Sequence, residues 1–204
     1  MTPRQVFHRL LEHPWVYGAS QHLVPFARND CRAMVARHIA LPEGAAVLDI
    51  GCGVGAHRSL FPGARYTGVD INPDYIARAN RTYGSGFYAM DAGHLEFPDN
   101  SFDAAVSIAM CHHLDDDLVR AMAGDSLRVL RAGGALHIID AVLPEPGESW
   151  FKTFVFSNDR GRHQRSEAAM RALAAACGRI TAQSLRIGVT HKIIYLRIEP
   201  NLAA

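Results

Sequence analysis

Three acids, three glycines and a histidine pair have the types and spacing that could do chemistry in this chain. Ala45–Gly55 reads Ala-Ala-Val-Leu-Asp-Ile-Gly-Cys-Gly-Val-Gly, an apolar run holding one acid, Asp49, and ending abruptly in glycine. Such a run reads as a buried strand of a parallel sheet. Gly51, Gly53 and Gly55 let the backbone take positive φ and let a ligand approach without meeting a Cβ. A short helix is expected from Ala56, so strand, glycine turn and helix N-terminus would form a nucleotide-type cradle. Asp70 ends a second strand, Tyr66–Ile71, where an acid can accept both hydroxyls of a ribose. Asp91 ends a third, Phe87–Asp91, and could accept from an adenine amine. His112 and His113 follow a fourth strand, Ala104–Ala109, and histidine titrates in the range a general base needs.

Two cofactors compete for such a cradle. Gly51-x-Gly53-x-x-Ala56 satisfies the dinucleotide fingerprint, so the glycines alone do not choose. Asp49 does, because a carboxylate two residues before the first glycine is unwelcome beside a pyrophosphate. S-Adenosylmethionine has no phosphate and carries an ammonium and a sulfonium, which an acid attracts. Val47–Gly55 resembles motif I of the class I S-adenosylmethionine-dependent methyltransferases. A second stretch is more specific: Asp91-Ala92-Gly93-His94-Leu95-Glu96-Phe97-Pro98-Asp99-Asn100-Ser101-Phe102-Asp103 is similar to the acid-loop run of the ubiquinone and menaquinone methyltransferase group. Leu127–Asp140 resembles that group's helix into strand 5.

The resemblance implies an α/β, Rossmann-like class I methyltransferase fold: a mostly parallel seven-stranded sheet with an antiparallel terminal strand and helices on both faces. It implies S-adenosyl-L-methionine as cofactor, S-adenosyl-L-homocysteine as product, and in-line methyl transfer to O, N or C of a small molecule. Asp49, Gly51, Cys52, Gly53 and Gly55 would form the cradle, with Cys52 packed rather than reactive. Asp70 with Ile71 would take the ribose side, and Asp91 with Ala92 the adenine. The Asn/Asp-Pro-Pro-Tyr/Phe run of nucleic-acid amino-methyltransferases is missing after the fourth strand, and a histidine pair at that point is common in the group.

The bulk composition agrees with this. The chain has 204 residues, 49% apolar and 20% charged, as expected of one globular domain with a full core. Lys+Arg 21 against Asp+Glu 20 leaves no basic excess for a nucleic-acid partner. Cys31, Cys52, Cys111 and Cys177 are scattered without a CxxC pair, which points to a reducing cytoplasm and no zinc site. No secretory pattern or bilayer-length apolar segment is read. Asp115-Asp116-Asp117 reads as a helix cap rather than a metal site, since consecutive acids do not converge on an ion.

Along the chain, residues 1–40 read as a helical cap, 41–143 as the cofactor-binding core, 144–165 as a substrate-side insertion, and 166–204 as a last helix with a terminal hairpin. Gly84 is expected to close the second-strand helix in αL, and Gly133-Gly134 to end the helix that Asp115 opens. Tyr17 and His22 in the cap could line a substrate entrance or simply pack. Trp150 and Phe154, with Arg160 and Arg162, could form an aromatic surface with a cationic rim, or a packed helix and a solvated loop. If His112-His113 is extended, adjacent side chains diverge and one faces the pocket. Two other readings stay open: a non-catalytic S-adenosylmethionine-binding or assembly protein, and a NAD(P)-dependent oxidoreductase. The second would lack the terminal hairpin formed by Ile180–Ile187 and His191–Ile198.

Overall fold

The computed structural model describes residues 25–145, 161–188 and 192–201. In chain order these form α1 (Pro25–His38), β1 (Ala46–Ile50), β2 (Arg65–Asp70), α2 (Pro73–Tyr83), β3 (Phe87–Ala89), β4 (Phe102–Ile108), α3 (Asp116–Val129), β5 (Leu130–Val142), α4 (Glu167–Cys177), β6 (Arg179–Ile187) and β7 (Lys192–Glu199). The seven strands make one sheet in the order β3-β2-β1-β4-β5-β7-β6. β1 pairs in parallel with β2 and β4, and β4 with β5. β7 runs antiparallel to both β5 and β6. The expected fold class is therefore present, and the reversed β7 sets it apart from the plain dinucleotide sheet.

Alternation along the strands builds a core on each face. Leu48 and Ile50 of β1, Leu136 and Ile138 of β5, and Ile194 and Leu196 of β7 bury one face against Val119, Met122 and Ala123 of α3 and Met170 and Leu173 of α4. Val47, Val106, Ile139, Ile193 and Tyr195 bury the other against Met34 and Val35 of α1 and Ile76 and Ala79 of α2. No described helix is long and apolar enough to cross a membrane.

Capping chemistry sets several helix starts. Asn72 accepts from the Asp74 amide at 2.9 Å and the Tyr75 amide at 3.4 Å, with Pro73 at the first helical position. Asp115 accepts from the Leu118 amide at 2.9 Å, and Ser166 from the Ala169 amide at 3.2 Å. The triple acid is thus divided, Asp116 pairing with Arg165 and Asp117 with Arg120.

Three local expectations need correction. The helix expected directly after the glycines is a single 3-10 turn, Arg58–Leu60, because Phe61 is buried in the core and Pro62 has no amide to extend it. α3 ends at Val129 rather than at Gly133-Gly134: Leu130 already pairs with Phe102, and the two glycines lie in a bulge where the register jumps to Ala104↔Ala135. Gly84 has φ 83° and ψ −170°, so it turns the chain toward β3 without entering αL. Leu118 of α3 is exposed, while Val119 is buried in phase with Met122, Ala123 and Ser126.

His137 of β5 is buried with Nδ1 2.9 Å from the Tyr195 hydroxyl, and His38 of α1 stacks on the Tyr195 ring at 4.3 Å. Burial, with repulsion from Arg197 and His38, pushes the His137 imidazole down to about 4. The unfolded chain would take up that proton near pH ~6.5, before the folded one does. The stability His137 provides is therefore complete above pH ~6.5 and falls by up to about 3 kcal/mol on acidification to pH ~4. Urea titrations between pH ~7 and ~4 should show His137→Gln flattening this decline. A smaller slope from His38, shifted in the same direction, should remain.

Candidate functional site

β1, β2, β4 and β5 share one direction, so their carboxyl ends meet on one edge of the sheet. The chain leaves β1 by curling onto β2: the amides of Gly51 and Cys52 both bond the Val69 carbonyl, at 2.8 and 2.9 Å. Gly51, Gly53 and Gly55 have φ of 76°, 54° and 80°. At Gly51 the constraint is double, since a Cβ there would lie 2.2 Å from Met110 Sδ. The glycine turn therefore touches the segment that leads from β4 to the histidines.

Asp70 holds this turn. Its Oδ2 accepts from the Gly53 amide and its Oδ1 from the Asn72 amide, both at 2.9 Å. Burial raises its carboxyl, and the two amides restrain the rise. Ile71 beside it leaves 74% of a large apolar side chain exposed. Cys52 is buried and its thiol pushed up by burial and by the acids Asp49 and Asp70, as suits a packed rather than a reactive sulfur.

Asp49 lies fully buried beneath the turn. The Tyr66 hydroxyl donates to its Oδ2, and His57 Nδ1 stands 3.4 Å from the same oxygen. Its Oδ1 is buried without a hydrogen-bond partner among the described residues. An orphaned carboxylate oxygen costs free energy unless a donor arrives.

Asp91 lies two residues past β3 rather than at its end, beside β2, where the Met90 amide bonds the Asp70 carbonyl at 3.0 Å. Its Oδ1 accepts from the Gly93 amide at 2.8 Å, which turns the chain at Ala92. The loop that follows is held from α3 by Arg128, which donates to the carbonyls of Leu95 at 2.7 Å and Phe97 at 2.9 Å and to Asp99 at 2.7 Å. Asp103 closes it structurally, accepting from the Ala46 amide and from Arg131, each at 2.7 Å.

Beyond β4, Ala109 takes φ 55°, a conformation that strains a residue with a Cβ. Cys111–His113 then form one 3-10 turn. The pair is thus not extended, and the two rings lie together, 4.1 Å apart. His112 is buried and His113 exposed. His112 Nδ1 is 2.5 Å from Asp140 Oδ1, near the end of β5, and the His112 amide donates to Asp140 Oδ2 at 3.3 Å. Burial alone would raise Asp140, but the His112 imidazole and the amides around it hold the carboxyl below its usual range. An ionised Asp140 only accepts, so Nδ1 donates, and in the neutral imidazole the lone pair is then on Nε2.

Arg162 is exposed, and no partner is described for its side chain. Tyr17, His22, Trp150, Phe154 and Arg160 lie outside the described residues. No group of three or more His, Cys, Asp or Glu side chains able to hold a metal occurs among the described residues. Asp140 was not singled out from the sequence. Its signal is like the one Asp49 gives, a lone acid inside a largely apolar strand.

A methyltransferase-domain family model matches residues 48–138. The chain is 31% identical to sterol 24-C-methyltransferase of Aspergillus fumigatus over 174 residues, 76% of this chain and 43% of the relative. It is 36% identical to 2-methyl-6-phytyl-1,4-hydroquinone methyltransferase of Synechocystis over 107 residues, 49% of this chain and 33% of the relative. The chain thus spans less than half of those relatives' length. Among solved structures, a SAM-dependent methyltransferase of Methanosarcina mazei shares the fold, with a TM-score of 0.65 at 22% identity over 81% of this chain and 97% of that one.

Gly51→Ala should strain the backbone by about 1–2 kcal/mol and press on the Met110 sulfur as well. Urea denaturation of Gly51→Ala and of Gly51→Ala/Met110→Ala separates the two. The double variant should recover the steric part of the loss and keep the conformational part.

Proposed function

We propose that this chain, which carries the domain of the class I S-adenosylmethionine-dependent methyltransferases, transfers a methyl group to a small, largely apolar acceptor whose reacting atom gives up a proton. One observation carries the proposal. The glycine cradle and the His112–Asp140 pair occupy the same edge of the sheet, joined by Met110 packing on Gly51. The relatives named for sterol and phytyl-hydroquinone acceptors support the apolar character.

The residues present fit the cofactor. Gly51 and Gly53 allow close backbone approach, the buried Asp49 Oδ1 has among the described residues no donor of the kind an ammonium would supply, and the exposed Ile71 offers an apolar surface to an adenosine. Asp70 keeps lone pairs on both oxygens for ribose hydroxyls, and Asp91 with Ala92 bounds the adenine side. When bound, S-adenosyl-L-methionine supplies an electrophilic methyl on sulfur and leaves as S-adenosyl-L-homocysteine. The chain's own work is orientation, exclusion of water and proton handling. His112 Nε2 takes the acceptor's proton, and Asp140 stabilises the imidazolium through Nδ1. An acceptor already ionised, such as a carboxylate, would not need this pair.

Methyl transfer is tested with radiolabelled S-adenosylmethionine against a prenylated hydroquinone, a sterol, a long-chain fatty acid and a primary amine, with bulk tRNA as control. Transfer to the hydroquinone or sterol supports the proposal. Cofactor binding without transfer to any class would leave a binding protein instead. His112→Gln should lower turnover about 10²- to 10⁴-fold with S-adenosylhomocysteine affinity unchanged. In calorimetry, Asp70→Ala should weaken that affinity about 10- to 30-fold through two lost hydrogen bonds, and Asp70→Asn, which keeps one acceptor, less.

A further inference from the structure

The turn that carries His112 is held only in part by its own residues, through the His113 amide on the Met110 carbonyl at 2.9 Å and the Leu114 amide on that of Cys111 at 3.1 Å. The Cys111 and Leu114 carbonyls also accept from one side chain in a distant part of the chain. Arg165 Nη1 donates to the Cys111 carbonyl at 2.8 Å and to the His163 carbonyl at 3.0 Å, and Nη2 to the Leu114 carbonyl at 2.7 Å. Its Nε donates to Asp116 at 2.8 Å, so the guanidinium also grips the first turn of α3. The side chain is 10% exposed, which makes these hydrogen bonds costly to lose. The backbone is held too: the Leu143 amide bonds the Arg165 carbonyl at 2.8 Å, and the His163 amide bonds the His112 carbonyl at 3.0 Å.

The same segment meets the imidazole itself. At Gly161 a Cβ would lie 2.4 Å from His112 Cδ2 and 2.8 Å from the His112 carbonyl oxygen, so only glycine lets the chain pass this close. Residues 161–165 therefore lie across the His112 turn, in contact with the ring at one end and fastened at the other. The titratable groups about the pair are Asp140 of β5, Cys111 and His113 of the turn, Arg165 with Asp116, and, acting on Asp140 through space, Cys31 of α1.

We infer that Arg165 is a positioning residue: it fastens residues 161–165 across the turn and thereby sets the His112 imidazole on Asp140. This rests on the proposed role of His112 as proton acceptor, but its geometry is independent of that role. A planar fork satisfying three carbonyls and a carboxylate together cannot be replaced by the point charge of lysine. The segment that leads out of residues 144–160 is thus mechanically joined to the proton-accepting pair.

The test reads the hydrogen bond directly. Proton NMR of the full chain with S-adenosylhomocysteine should show a far-downfield resonance from the His112 Nδ1 proton, assigned by its loss in His112→Gln and Asp140→Asn. Arg165→Lys and Gly161→Ala should each shift or broaden it while S-adenosylhomocysteine affinity stays within about twofold. With an accepted acceptor, Arg165→Lys should lower kcat about 10- to 100-fold, the effect of a small misplacement, with little change in KM for the cofactor. Should Arg165→Lys not fold, Gly161→Ala, which keeps the guanidinium, decides alone. A resonance absent from the parent, or unchanged in the variants that fold, overturns the inference. If His112→Gln stays fully active while Arg165→Lys loses the resonance, the proton-acceptor role fails and the positioning role stands.

Discussion

A carboxylate removed from water must find donors, and in this chain the donors are backbone amides of the neighbouring element. Asp70 takes the amides of Gly53 and Asn72, Asp103 that of Ala46, and Asp140 those of His112 and Ala141. Asp70 and Asp140 thereby tie the end of one strand to the loop that leaves another, whereas Asp103 ties the start of β4 to the start of β1. The glycine turn is held in this way to the end of β2, and the histidine turn to the end of β5. Without these acids the loops at the ligand edge would have little to hold them, because short loops bury too little apolar surface of their own.

The same requirement separates acids that build the site from one that is left incomplete. Asp70 and Asp140 have both oxygens engaged by the chain. Asp49 does not: Tyr66 satisfies one oxygen and the other is buried without a donor among the described residues. A buried polar atom without a partner calls for an explanation, and a bound donor is one. This oxygen lies beneath the glycine turn that a charged cofactor would approach.

Arginine performs the complementary task for carbonyls. Arg128 gathers Leu95, Phe97 and Asp99, and Arg165 gathers Cys111, Leu114 and Asp116. One fixes the loop after β3 and the other the turn after β4. The two loops that border the edge of the sheet are thus locked from α3 and from the entry to α4, by side chains whose forked donors match irregular backbone.

Much of this was legible in the sequence, because it rests on local chemistry. Short apolar runs marked the strands, Asp115 announced a helix start, and the spacing of Asp49, the glycines, Asp70 and Asp91 outlined a candidate cradle. What failed locally did so where neighbours intervene: Phe61 is drawn into the core and stops a helix, and Leu130 pairs with Phe102 before the glycines can end α3. The sequence by itself determined which residues could serve a methyl-donor cradle, since residue type and spacing along a strand and turn need no distant partner. Only the tertiary structure decided which histidine is buried, that its partner is Asp140 28 residues away, and that Arg165, 53 positions beyond His112 in the chain, holds the pair in place. These contacts depend on parallel strands setting their carboxyl ends side by side, which periodicity along the chain does not encode.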